Sequence, residues 1–341
     1  MLKRLVCSDV GKVAWQEVSL PAVQRGEVRV SATYGVEKHG TMMAFFKGYA
    51  NQRGSWDSAH LIHKSEGALW NYPIPLGNIQ CGEIKESGPD TQLSVGTKVF
   101  YHGPFQPEIV IKESDCHVLL EGVSPESAVL MDPTEFALGA IRDGNLRAGD
   151  AVAVFGMGAI GLVTVQIAKH AGAFPVIAID PMRGRRDVAT RCGADLVLDP
   201  TEGDTGMRLR ELTQMRGPDV IIDFSGSPFA LQAALRGISY GGTIVCGAFP
   251  PPHQHGLDFG GEAHMNRPKI IFSRACSDPN PDHPRWNWVR IQDTVVGLIN
   301  RGIVQGSEIM GSPVPFDDLL TEYPKIATEP ERSIKLAVTY L

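Results

Sequence analysis

Ala151-Val152-Ala153-Val154-Phe155-Gly156-Met157-Gly158-Ala159-Ile160-Gly161 is the stretch on which the fold turns. Its opening apolar run has the continuity of a strand buried on both faces of a parallel sheet. The Gly-x-Gly-x-x-Gly that follows opens a helix-forming segment reaching about residue 171. Each glycine has a physical reason. Gly156 permits a tight turn, Gly158 lets the backbone approach a pyrophosphate, and Gly161 lets the helix close on the strand. The N–H groups of Ala159 and Ile160 at the helix start are then offered to phosphates. Glycine is common, so the triplet alone is weak evidence and the context carries it. A second apolar run, 176–179, ends in Asp180, about 20 residues past the last glycine. A carboxylate there accepts hydrogen bonds from adenosine ribose hydroxyls and repels a 2′-phosphate, which favours NAD over NADP. Arg183, Arg185 and Arg186 pull the other way, because arginine can hold that phosphate. The plainer reading is a solvated helix start with Arg185 stacked on adenine, and NADP stays as the alternative.

Outward from this unit, the apolar runs 195–198, 219–223 and 243–247 alternate with helical sequence such as 162–171 and 228–236. Alternation of this kind makes an α/β fold, a doubly wound parallel sheet. Before it, short alternating segments such as 27–32 and 98–101, broken by Gly and Pro, read as half-buried antiparallel strands of a β-rich domain. Ser124-Pro125-Glu126-Ser127 starts a helix with its body at 128–141. Residues 250–287 are irregular, 289–301 form an amphipathic helix, and 334–340 form a terminal strand that returns to the first domain. The expected division is a β-rich domain of residues 1–122 plus 276–341 and a Rossmann dinucleotide-binding domain of residues 123–275.

Composition narrows the classes. With 43% hydrophobic and 21% charged residues in 341, the chain is globular rather than disordered, collagenous or coiled-coil. A net charge of −6 without a basic block argues against a nucleic-acid partner and for a small-molecule substrate. The first residues have no secretory pattern and no run has the length of a membrane span, so a cytoplasmic place without a membrane partner is expected. Cys7, Cys81, Cys116, Cys192, Cys246 and Cys276 lie far apart, without metal-ligand spacing, and read as reduced thiols.

With its βαβ unit set behind a β-rich segment, the chain resembles the medium-chain dehydrogenase/reductase superfamily of alcohol and polyol dehydrogenases over essentially its whole length. The resemblance is carried by 35–48, 75–82, 95–100, 148–150, the glycine motif, 219–226 and Gly241-Gly242-Thr243. It implies a GroES-like catalytic domain beside the Rossmann domain, and a homodimer or homotetramer joined by edge pairing of the Rossmann sheets. It also implies that Ser225, Gly226, Gly247 and Ala248 line the nicotinamide and its ribose, with Ser273 or Arg274 near the carboxamide.

The departures from that family matter for the chemistry. Zinc-dependent members have a cysteine shortly after the first Gly-Val, then a Gly-His-Glu, then an acidic or cysteine ligand on the long helix. Here those places read Glu37-Lys38-His39, Gly77-Asn78-Ile79 and Asp132-Pro133-Thr134-Glu135, and the four-cysteine structural-zinc lobe is absent. An amide and an alkyl chain do not replace imidazole and carboxylate, so no zinc and no other metal is expected. An unorthodox set of Glu37, His39 and Asp132 is the remaining metal alternative.

Without zinc, some other group must meet the alkoxide character that hydride transfer creates on the substrate oxygen. Lys38, steadied by Asp132, is one candidate, and a loop lysine in solvent is its bland counterpart. His39, which titrates near neutrality, is the other; a lone histidine is more often structural. Glu37 and Glu135 could orient either base. Asn78 could hydrogen-bond a substrate hydroxyl, and His102 could border the substrate or cap a turn. Trp286 and Trp288 could give a ring-shaped substrate a platform, or simply pack. The leading expectation is an NAD(H)-dependent, zinc-free oxidoreductase between a secondary alcohol and a ketone on a polyol, sugar or cyclitol. Its alternatives are a zinc-free quinone or enoyl reductase and a non-catalytic NAD(H)-binding sensor or interaction protein.

Overall fold

The apolar runs of the second half form the sheet their continuity demands. The computed structural model describes residues 2–277 and 282–340. Among them, parallel strands β1 Val152–Phe155, β2 Val176–Ile179, β3 Leu196–Leu198, β4 Val220–Asp223, β5 Thr243–Cys246 and β6 Lys269–Phe272 lie in the order β3-β2-β1-β4-β5-β6. Val152 pairs with both Val176 and Val220, so β1 is central. The chain builds from β1 to one edge, then returns through β4 and builds to the other. Ligands of such sheets bind beyond the carboxyl ends of the strands at that reversal. Phe155, Ile177, Ile179, Ile221 and Ile244 pack against Leu209, Leu231 and Leu235 of helices Thr205–Leu212 and Pro228–Gly237. Each buried side chain of this size contributes about 1.5–3 kcal/mol.

The segment 250–287, expected to be irregular, contains the helix Glu262–Asn266 and the sixth strand, β6. Lys-Ile-Ile-Phe is too short to show a period, and as an edge strand it neither buries both faces nor alternates cleanly. The helix expected from 124 onward is divided as well. Ser124 caps a short Pro125–Ala128 turn by accepting from the Ser127 N–H, and a separate helix, Met131–Asp143, follows.

Two compact units result, Met1–Val129 with Met310–Leu341, and Leu130–Ile309. The return to the first unit thus comes much later than the expected residue 276. The helix Trp288–Asn300 has to bury Ile291, Val295 and Ile299. It does so on Met131–Asp143, where Gln292 Nε2 donates to Glu135 Oε1 at 3.2 Å and Arg142 pairs with Asp282.

In the first unit the long strand Glu27–Val36 pairs antiparallel with Ile79–Ser87, Glu108–Lys112 and Ala337–Thr339. The last of these is the expected terminal strand, and its register, Ala337 opposite Val36, brings the chain end beside Glu37. Helix His39–Phe46 follows directly and buries Met42, Met43, Phe45 and Phe46. Among the described residues no helix is long and apolar enough to cross a membrane.

Candidate functional site

In the second unit, the groups chosen for the dinucleotide gather at the carboxyl ends of the strands. Gly156 has φ +88°, and a Cβ there would lie 2.8 Å from the Ser225 nitrogen. A Cβ on Gly161 would lie 1.9 Å from the Gly156 carbonyl oxygen, which is the close helix–strand approach the motif requires. Gly158 is different: its Cβ would meet nothing within 4 Å. It is also the N-cap of helix Ala159–His170 and supplies no side-chain cap. The first-turn N–H groups of Ala159, Ile160 and Gly161 therefore have no intrahelical acceptor and no side-chain cap, as a pyrophosphate needs.

Asp180, just past β2, is buried and held at two points. Its Oδ2 accepts the Met157 N–H and its Oδ1 the Met182 N–H, both at 2.8 Å. Each oxygen keeps a lone pair for a ribose hydroxyl. Arg185 is half-buried in the first turn of helix Arg183–Arg191.

Beyond β4, Asp223 Oδ1 accepts from the Ser225 N–H (2.8 Å), the Ser225 hydroxyl (2.6 Å) and the Gly226 N–H (3.3 Å). Burial holds the Asp223 carboxyl above its ordinary range despite those donors. Asp223 shapes the Ser225-Gly226 turn, a role its place at a strand end did not announce. Gly226 lies against Ala248 and Pro250, and a Cβ on Gly247 would sit 2.4 Å from the Phe224 ring. Ser225, Gly226, Gly247 and Ala248 thus form one group. Ser273 follows β6 with its N–H on the Cys246 carbonyl (2.9 Å), while Arg274 turns to the Ser277 hydroxyl.

This unit also places Asp132, Glu135 and Trp286. Asp132 is buried in the first turn of helix Met131–Asp143. Glu135 is fully buried and engaged by Gln292. Trp286 does not present an open ring to a substrate. The Arg142 and Arg290 guanidiniums lie over it at 3.6 and 4.4 Å from its centroid, making it a cation–π packing element for the segment after 282. Trp288 begins the following helix, half-buried.

In the first unit, Glu37, Lys38 and His39 are brought together with residues from the far end of the chain. Lys335, itself buried, donates from Nζ to the Glu37 carbonyl at 2.6 Å, and the Glu37 N–H donates to the Leu336 carbonyl at 3.1 Å. The Leu336 N–H donates to His39 Nε2 at 2.8 Å. That last bond requires an unprotonated Nε2, so protonation there costs His39 its tie to the terminal strand. The Glu37 carboxyl is fully buried, and neither oxygen has a well-formed hydrogen bond. Burial pushes it up to about 8, against the opposing influence of Lys335, the Tyr323 hydroxyl and the Lys38 and Gly77 amides. Lys38 is half-buried as the N-cap residue of helix His39–Phe46. Asn78 is buried and adjoins Gly77, while Ile79, which pairs with His102, sets Asn78 and His102 at neighbouring strand ends. Tyr323 and Lys335 were missed from sequence. A cation inside the apolar run Ile334-Lys335-Leu336-Ala337-Val338 was the available signal for Lys335.

The donors at the places where zinc would be held do not suit it. Asn78 offers a neutral amide, Ile79 a hydrocarbon chain fully buried in its strand, and Glu37 a fully buried carboxyl that burial pushes toward its neutral form. Among the described residues, no group of three or more His, Cys, Asp or Glu side chains is placed to hold a metal ion.

A family model described as zinc-binding dehydrogenase matches residues 159–284. D-guloside 3-dehydrogenase of Escherichia coli (strain K12) is 38% identical over 351 aligned residues, spanning 99% of this chain and 100% of that protein. Two solved structures each cover 99% of this chain and 99% of their own. One, an alcohol dehydrogenase from Escherichia coli CFT073 in complex with NADH, has a TM-score of 0.77 at 18% identity. The other, a protein of Sinorhizobium meliloti 1021 bound to NADP, has 0.78 at 19%. At these identities the two structures speak for the fold alone.

Proposed function

Because this chain belongs to the medium-chain dehydrogenase/reductase superfamily and is an alcohol or polyol dehydrogenase, we propose that it interconverts a secondary alcohol and a ketone on a sugar, polyol or cyclitol, using NAD(H) and no catalytic zinc. A ring hydroxyl of a glycoside is the first choice of substrate, given the full-length similarity to an enzyme named for oxidising a guloside. The observation that carries the reading is the strand-end geometry: an uncapped helix start behind Gly158, with the fixed carboxylate of Asp180 one strand away. When bound, the nicotinamide supplies or accepts the hydride. The chain's own residues hold the pyrophosphate at Ala159–Gly161, the adenosine ribose at Asp180 and the nicotinamide end at Ser225, Gly226, Gly247 and Ala248.

At the substrate oxygen, Lys38 Nζ is the preferred proton carrier, since His39 Nε2 is committed to Leu336. Asn78 is suited to hold a neighbouring hydroxyl. Asp132 stays a candidate for its burial at a helix start, where a carboxylate is rarely left without purpose. Exposed apolar groups on β6 support a homo-oligomer paired along that edge.

The test is a panel of glycosides, polyols and enones offered to the purified enzyme with NAD+ or NADP+ (NADH or NADPH for the enones), with metal content measured on the same sample. Oxidation of a sugar hydroxyl with NAD+ by a preparation holding well under one zinc per chain is expected. Turnover of enones alone would favour the reductase reading. Tight NADH binding without any turnover would favour a sensor.

A further inference from the structure

The arginines after Asp180 pose a physical question. A guanidinium near the adenosine ribose is what a 2′-phosphate seeks, and three of them follow within one helical turn. Arg186, however, is folded back rather than presented. Its Nη1 donates to the carbonyls of Asp180 (2.7 Å) and Pro181 (2.8 Å) and pairs with Asp199 Oδ2 at 2.8 Å. Only 15% of the Arg186 side chain and 14% of the Asp199 side chain are exposed, so solvent screens this pair less than a surface one. Asp199 stands just past β3, the strand beside β2, and is itself fixed: its Oδ1 accepts the Thr201 N–H at 2.9 Å and the Thr201 hydroxyl at 2.6 Å.

Those Thr201 donors and Arg186 hold the Asp199 carboxyl below the usual carboxylate range. Arg186 is thus neutralised by Asp199 and its charge is not offered to an incoming 2′-phosphate, while the fixed Asp180 carboxylate repels one. Asp180 cannot swing aside cheaply, because each of its oxygens carries a backbone N–H.

We propose that Asp199 is a second determinant of cofactor choice, a positioning residue that discriminates against a 2′-phosphate by keeping Arg186 turned away from it. This rests on the NAD reading above and assigns that preference to a pair of residues, one repelling and one withholding. Specificity is a difference of two affinities, and loss of either element should narrow it. In Asp199→Asn the shape and most of the Thr201 contact survive while the charge that anchors Arg186 is gone. The guanidinium then has reason to turn toward a phosphate, and its charge is no longer neutralised by a carboxylate partner.

The experiment measures binding directly, by calorimetry, of ADP-ribose and of 2′-phospho-ADP-ribose to the whole protein. The proteins are the parent, Asp199→Asn, Arg186→Gln and the double variant, each checked by thermal melting for folding. The expected result is a parent that prefers ADP-ribose, and a preference that shrinks at least about tenfold in Asp199→Asn, an effect of about 1.4 kcal/mol. The double variant should return toward the parent ratio, and Arg186→Gln alone should gain nothing for the phosphorylated ligand. An Asp199→Asn ratio within twofold of the parent overturns the proposal, as does a gain that persists in the double variant. A parent that prefers the 2′-phosphorylated ligand overturns the NAD reading instead, and the Asp199→Asn comparison still decides the role of Asp199.

Discussion

A carboxyl as enclosed as that of Glu37 makes the protein's stability depend on pH in an unusual direction. Its folded-state value of about 8 stands above the ordinary 4.5, so between those values the folded protein keeps a proton that the unfolded chain has given up. Stability is therefore greatest below the ordinary value and falls as pH rises toward 8, by at most about 1.4 kcal/mol per unit. Glu37→Gln removes the titration while keeping the shape. Urea midpoints measured from pH 5 to pH 8.5 should fall less steeply for the variant, and parallel profiles would remove Glu37 as the cause. Next to it, Lys38 and His39 divide their roles. Lys38→Ala should lower kcat by about 100-fold or more, within the range of a lost acid–base group, with NADH affinity preserved. In His39→Gln the amide oxygen can still accept the Leu336 N–H, and most of the turnover should remain. If His39→Gln is the variant that loses turnover in stopped-flow and steady-state assays, the assignment reverses.

The glycine turn allows one element to be tested for fold and function separately. At Gly161 an added Cβ collides with the Gly156 carbonyl, and backbone cannot yield as a side-chain tip can. Gly161→Ala should cost about 1–3 kcal/mol in stability, as overpacked sites do, and lose the cofactor as well. At Gly158, φ is −78° and the added Cβ meets nothing, so Gly158→Ala should melt within a degree or two of the parent. Its methyl group would nonetheless stand where the pyrophosphate must approach, and NADH titration by fluorescence should show at least about tenfold weaker binding. Undiminished NADH binding by Gly158→Ala would mean that the phosphates lie elsewhere. These elements were legible because β1, its turn and its helix are continuous in sequence and each glycine answers a local need. β6 was hidden for the opposite reason. Its four residues lie at a sheet edge with Lys269, Ile270 and Phe272 exposed, so burial imposed no pattern on them. The break between Pro125–Ala128 and Met131–Asp143 was equally hidden, since no Gly or Pro marks residues 129 and 130.

On the scale of the whole molecule, legibility follows distance along the chain. The cofactor groups from Gly156 to Ser273 sit on successive strand ends of one sheet, so strand order alone brings them together. The group around Glu37 depends on Lys335, separated from it by 298 positions, and no local pattern links the two. The same sheet bears on assembly. β6 is an open edge, Phe272 is 84% exposed, and Met265 just before it is 72% exposed. An open strand edge with apolar side chains is a liability that a monomer would blunt with charge or proline. Pairing with a second copy about a two-fold axis satisfies the free backbone groups and covers the apolar ones in a single step. The purified protein should therefore scatter light as a dimer or tetramer at micromolar concentration. Phe272→Asp sets a charge against its own symmetry mate and should halve that mass, while NADH binding at the ends of β1, β2 and β4 persists. A parent protein that is monomeric, or a Phe272→Asp variant of unchanged mass, would move the subunit interface away from β6.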